Sequence, residues 1–287
     1  MVAGEQLLEQ GFGHGRFRLD HIGISPPQQI PDTEYRRTVD VSRYLARIGL
    51  DAAPPLDRGG LETLQRAHLT HIAFENLHVF HRRGVSTDPK RSISKIVEEG
   101  RGGWCYELNG SFASLLDAVG FEVTRLGATV VLDGPTHSPQ PGHAATRVDL
   151  DRPYLVDVGF GDSFIRPLPL DDDGPHDGGT GSYRFARAGE LLTLQFLDDG
   201  GWADQYQFTL DPVVPSDFDP SNEFLQTSPT THFTAKPFAT RLLDGGPDRV
   251  TLVHDQLKLR RNGTWTETPV STDDWPAVLA EWFGMDP

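Results

Sequence analysis

Apolar positions recur with helical spacing up to about residue 120 and with a period of two beyond it. Val41, Tyr44, Leu45 and Ile48 fall at i, i+3, i+4 and i+7, with Asp40 as a cap and Gly49 as a stop. Leu61, Leu64 and Ala67 begin a second helix that leads to Phe74-Glu75-Asn76. Ser92 opens a short third helix carrying Ile93, Ile96 and Val97, ended by Gly100. Leu108, Phe112, Leu115, Leu116 and Val119 mark a fourth, stopped by Gly120.

From Phe121 the pattern is that of strands. Val123, Arg125 and Gly127 lie on one face of the first; Thr124, Leu126, Ala128, Val130 and Leu132 lie on the other. Residues 142–150 and 154–161 read as two strands joined by the turn Asp151-Arg152-Pro153. Further strands are predicted over 191–196 and 206–210, separated by the turn at 198–201. Residues 171–181 read as an exposed, weakly hydrophobic loop. A short helix is predicted from Ser216 to Phe224, then strands over 238–243, 249–254 and 256–260. Asp244-Gly245-Gly246 and Asn262-Gly263 are turn signals. Ser271 begins a last helix whose buried face holds Trp275, Val278, Leu279 and Trp282. Short strands with turns between them imply a small barrel or sandwich. Residues 1–37 have no such period and read as a partly ordered extension.

The chemistry starts from Cys105, the only cysteine in the chain. A disulfide within the chain and a cysteine-rich zinc site are therefore excluded. Cys105 is either a small buried hydrophobe or a nucleophile. Its position favours the second reading. Gly100, Gly102 and Gly103 break the preceding element, and a helix starts at or just after Cys105. Free N–H groups and the positive dipole end favour a thiolate there.

A nucleophile needs a base, and the base an orienting partner. The hairpin of 142–150 and 154–161 brings His143 near Asp157. A directly facing pair would need a turn centred near residue 150, so the register is open by a few residues. Asp157 is flanked by Leu155, Val156 and Val158, an apolar setting in which a carboxylate calls for a partner.

Other signals lead elsewhere or nowhere. His68, His71, His78 and His81 lack the His-Glu-x-x-His pattern and read as surface or capping residues, so no metal is expected. Gly159-Phe160-Gly161 lacks the third glycine of a dinucleotide loop. The net charge of −15 argues against general nucleic-acid binding. No apolar run is long enough to span a membrane. The N-terminus lacks the regions of a signal peptide, so a reduced, cytoplasmic setting is expected.

Arg101 to Asn109 (Arg-Gly-Gly-Trp-Cys-Tyr-Glu-Leu-Asn), His143 and Asp157-Val158-Gly159-Phe160-Gly161 resemble the arylamine N-acetyltransferase family. So do Arg47-Ile48-Gly49, Phe74-Glu75-Asn76, Gln226-Thr227-Ser228-Pro229 and Phe233. The likeness runs from about Val39 to the C-terminus. It departs at Ala73, where the family often has proline.

The resemblance implies an α+β fold: a helical domain over 38–120, a β-barrel domain over 121–215, an interdomain helix and loop over 216–233, and an α/β lid over 234–287, preceded by the extension 1–37. It implies acetyl-CoA as co-substrate and an aromatic amine or hydrazine as acceptor, with ping-pong transfer. Cys105 would be the nucleophile, His143 its base and Asp157 the orienting acid. Gly142, Phe224 and Thr230 would lie toward CoA, although Phe224 lacks the tyrosine hydroxyl often found there. Phe74 and Phe160 would line the amine pocket, with plain core packing as the alternative for both. Arg47, Glu75 and Arg101 would form an ion-pair network under the site. The rivals are an amide synthase of the same family closing a macrolactam, a transglutaminase-like or papain-like hydrolase, and a ligand-binding barrel with an inert cysteine.

Overall fold

Asp40 and Asp57 open the first two helices. Each carboxylate accepts an N–H of the first turn, from Arg43 at 3.0 Å and from Gly60 at 2.8 Å. The helices are α1 (Val41–Arg47) and α2 (Arg58–His71). The structure, a computed structural model, describes residues 39–132 and 139–285. The extension expected over 1–37 lies outside the described residues.

A two-residue strand, β1 (Phe74–Glu75), and the short helix α3 (Leu77–Phe80) follow. The next helix, α4 (Pro89–Ile93), starts earlier than the expected Ser92. Asp88 caps it by accepting the N–H of Lys90, and Pro89 fits a first turn that needs no N–H. It runs on into a π turn over Ser94–Glu98. Helix α5 (Cys105–Val119) begins at the cysteine and ends at Gly120, whose φ of 119° suits glycine.

The second half is built on an eight-stranded sheet in the order β5-β4-β3-β2-β9-β8-β7-β6, antiparallel at every pairing. Its strands are β2 (Glu122–Val130), β3 (His143–Asp149), β4 (Pro153–Val156), β5 (Leu168–Pro169), β6 (His176–Asp177), β7 (Ser182–Ala188), β8 (Leu191–Asp198) and β9 (Gly201–Pro212). The sheet curls until its ends nearly meet. Ile165 N–H donates to Gly178 O at 2.7 Å, and the Thr180 hydroxyl donates to Ser163 O. Alternation divides the side chains between two cores. Val148, Tyr154 and Val156 pack on α1, α2 and α5, while Leu126, Ala145 and Leu155 face the interior with Phe185 and Leu194.

Strand β7 was not expected. Its inward residues Tyr183 and Phe185 alternate with Ser182, Arg184 and Ala186, but the glycine-rich run before it hides so short a signal. Strand β6 likewise falls inside the expected loop.

A 3₁₀ turn (Pro215–Phe218), α6 (Asp219–Thr227) and α7 (His232–Ala235) lead to a second sheet, order β1-β10-β11-β12-β13. Its later strands are β10 (Phe238–Leu242), β11 (Arg249–Val253), β12 (Gln256–Arg261) and β13 (Thr264–Pro269), covered by α8 (Trp275–Phe283). Strand β13 escapes an apolar-pattern reading because nearly all of it is exposed. Only its pairing with β12 around the Asn262-Gly263 turn defines it. Strand β1 lies between β10 and the loop before α5: Phe74 pairs with Thr240, and Glu75 N–H donates to Gly103 O at 2.9 Å.

Candidate active site

Cys105 is the first residue of α5 and is 6% exposed. Glu107, two residues on, accepts the N–H of Trp104 and closes the first turn. Beneath this turn Lys95 Nζ lies 2.9 Å from both Glu107 oxygens and 3.5 Å from Glu75. Burial alone would lower the Lys95 pKa, but the two carboxylates raise it; burial pushes the Glu107 carboxyl up. The ion network expected of Arg47, Glu75 and Arg101 has Lys95 as the partner of Glu75. Arg47 instead donates to the carbonyls of Ile96, His71, Gly100 and Arg101. Lys95 is buried within the π turn, where the α-helical spacing of the sequence does not apply.

His143 is the first residue of β3 and is 2% exposed. The β3–β4 register pairs Asp149 with Pro153 and Thr146 with Val156, so the hairpin centres on Asp151. Asp157 is therefore not directly opposite His143. It leaves the ladder after Val156 and turns back, its Oδ1 accepting the N–H of Gly159 at 2.8 Å. Its Oδ2 lies 2.7 Å from His143 Nε2. Burial pulls the His143 pKa down. The charge and hydrogen bond of Asp157, with a hydrogen bond to Cys105, outweigh it and raise the pKa to about 10. The Asp157 carboxylate thus favours the protonated form of His143, which lies between Cys105 and Asp157.

Residues 59–286 match the family model described as N-acetyltransferase. The arylamine N-acetyltransferase of Escherichia coli K12 is 32% identical over 253 residues, 85% of this chain and 88% of its own length. That of Mycolicibacterium smegmatis is 34% identical over 202 residues, 68% of this chain and 74% of its own. Among solved structures, the Salmonella typhimurium arylamine N-acetyltransferase superposes with a TM-score of 0.80 at 29% identity, covering 85% of this chain and 90% of its own. The Mycobacterium marinum enzyme in complex with CoA gives 0.78 at 31%, covering 86% and 93%. The chain belongs to the arylamine N-acetyltransferase family.

In this acetyltransferase, Asn109 does more than the motif signalled. It sits one turn after Cys105, on the same helix face. Its Nδ2 donates to Asp157 Oδ1 at 2.8 Å and to Ala144 O at 2.5 Å, and its Oδ1 accepts Val158 N–H at 2.9 Å. Asp162 ties the end of the same loop to β11 and β12, 3.1 Å from Arg249 and 2.7 Å from Arg260.

The aromatic candidates stand near the three side chains. Phe160 is half-buried, with its ring edge-on to His143 at 5.2 Å, and Tyr206 lies 5.1 Å from both rings. Tyr206 was not singled out from sequence. Phe74 is half-buried against the cluster that holds Trp104 and Cys105, with its ring 5.4 Å from Phe238.

The residues expected near CoA are more scattered. Gly142 N–H donates to Ala128 O and to Gln140, while its carbonyl accepts from Tyr106. Phe224 is half-buried on α6, and Thr230 is exposed with its hydroxyl 2.8 Å from that of Ser228. Of the histidines set aside, His68 is buried, lies 3.1 Å from the Tyr44 hydroxyl, and is held neutral by burial, its pKa lowered to about 3. Among the described residues, no group of three or more His, Cys, Asp or Glu could hold a metal ion. Among them, too, no helix is long and apolar enough to cross a membrane.

Proposed function

We propose that the chain moves an acetyl group from acetyl-CoA to an aromatic amine or hydrazine through a thioester on Cys105, in ping-pong order. The observation that carries this reading is the buried His143, its Nε2 2.7 Å from Asp157 Oδ2, with Cys105 within hydrogen-bonding reach of the same ring. An imidazolium beside the sulfur stabilises the Cys105 thiolate.

Attack by that thiolate on a thioester carbonyl puts an oxyanion at the start of α5, where first-turn N–H groups lack helical acceptors. As the bond to CoA sulfur breaks, His143 gives its proton to the leaving thiolate. The now neutral imidazole accepts a proton from the amine as it attacks acetyl-Cys105, and the cysteine thiolate is released. Asp157 holds the imidazole orientation throughout.

The CoA-bound Mycobacterium marinum relative supports acetyl-CoA as donor. The small exposed area of Cys105 suits a slender acyl arm. Phe74 and Phe160 flank the acceptor's ring in this reading, and Phe224 and Thr230 lie toward CoA. Gly142, its backbone groups already bonded, offers only room.

Intact-mass measurement after mixing with acetyl-CoA alone tests the reading. One acetyl group is expected on Cys105, discharged by an aromatic amine and absent in Cys105→Ala. An adduct on another residue, or steady-state turnover by Cys105→Ala, would sink it. An adduct that resists every aromatic amine would move the acceptor to the macrolactam chemistry of an amide synthase.

A further inference from the structure

Tyr106 follows Cys105 in sequence, and its hydroxyl bonds groups outside α5. The oxygen lies 3.0 Å from Gly142 O and 2.9 Å from Ser221 Oγ. Gly142 O belongs to the peptide group that joins Gly142 to His143. Ser221 belongs to α6, and its own hydroxyl reaches Pro141 O at 2.6 Å and Phe218 O at 3.0 Å. Both side chains are buried. The Tyr106 ring is packed edge-on against Trp104 at 5.5 Å and lies tilted against Phe218 at 5.2 Å. The far side of α6 is bonded as well: Asn222 donates to Val85 O, Gln226 accepts Val85 N–H, and the Thr87 hydroxyl meets Asp219.

We propose that Tyr106 and Ser221 are positioning residues that set the Cys105–His143 geometry from α6. The residue beside the cysteine grips the peptide beside the histidine, and a helix outside both of their elements holds that grip in place. Tyr106 thus joins the start of α5 to the backbone that leads into β3 at Gly142. The hydroxyl chain is buried, so water cannot replace a lost member cheaply. Burial, and the proximity of Cys105, raise the Tyr106 pKa well above that of an ordinary phenol, so it remains a donor at every working pH. The proposal deepens the acyl-transfer reading, and its catalytic readout rests on that reading.

Tyr106→Phe keeps the ring packing and removes the hydroxyl; Ser221→Ala removes the other member. Alkylation of Cys105 by iodoacetamide reads the sulfur directly, because no other thiol is present. Each variant should slow alkylation and shift its pH profile. Each should lower kcat by about tenfold or more, the scale of a small misplacement of reacting groups, with KM little changed. The double variant should be no worse than the worse single variant, as expected for members of one chain. A lowered Tm with wild-type alkylation, pH profile and kcat in both variants would overturn the proposal, because the hydroxyls would then be structural only. Additive losses in the double variant would also overturn it. If the wild type takes no acetyl group while the alkylation differences persist, the acyl-transfer reading fails and the positioning role stands.

Discussion

Gly159 is pressed against Cys105. A Cβ at position 159 would lie 2.7 Å from Cys105 Cα, and equally close to Asn109 Nδ2. The first of these is backbone that cannot swing aside, so the start of α5 and the loop after β4 meet where only hydrogen fits.

Gly159→Ala should therefore fold but displace the sulfur from His143. The loss expected in acetyl transfer is about 100-fold, the scale of an ångström-sized misplacement. Steady-state kinetics beside a thermal melt checks it; near-wild-type kcat would mean that the loop yields without moving Cys105.

Asp157→Asn keeps the shape and removes the charge. Asn109 offers an N–H to Oδ1, so the new amide would turn its oxygen toward Asn109 and its NH₂ toward His143. The imidazole would then have to accept at Nε2, the wrong tautomer for the proton transfers proposed above. A fall of about four orders of magnitude in turnover is expected, as for other amidated orienting acids. Near-full activity in a folded Asp157→Asn would remove Asp157 from the mechanism.

The pH dependence of stability should carry the sign of His143. Its folded pKa of about 10 lies above the ordinary histidine value of 6.5. The folded state thus binds the proton more tightly than the unfolded chain. The stabilisation is complete below about pH 6.5 and is lost as pH rises through about 10. Urea unfolding of the wild type and His143→Gln at several pH values isolates this contribution. The wild-type advantage should shrink from pH 6.5 to 10; an advantage that grows over that range contradicts the assignment.

Lys95→Met would leave Glu107 and Glu75 buried without the ammonium that now faces both. Removing one partner from a buried ion pair costs about 3–5 kcal/mol. Denaturant unfolding should show a loss of that size. A neutral or stabilising result would mean that the two carboxyl groups share a proton once the lysine has gone.

Much of this architecture could be read from local patterns, because local chemistry creates it. Asp40 caps α1, Gly120 ends α5, and Cys105 begins that helix, each by short-range rules. What escaped depends on distant partners. Strand β13 has almost no buried face and exists through its neighbour. Lys95 lies in a π turn, outside the regular spacing of the helix before it, and its carboxylate partners are far along the chain. Asn109 stands within a legible motif, yet its bonds to Ala144, Asp157 and Val158 depend on how β3 and the loop after β4 approach α5. Asp157 itself reaches His143 through a bend beyond the ladder, which strand pairing alone could not supply.

The place of β1 has a consequence for synthesis of the chain. Asn76, just after it, bonds Phe233 O and Lys236 O, the latter 160 positions later in sequence, and β1 itself pairs with β10. The other edge of β1 holds Gly103, two residues before Cys105. A nascent polypeptide that has passed α5 already carries Cys105, but the rail beside that cysteine is still bare along one edge. The rail gains its partner only after residues near 240 have left the ribosome. A message cut short before that point would yield a chain with its cysteine present and an open strand edge beside it, a product suited to aggregation and proteolysis rather than to slow, partial activity.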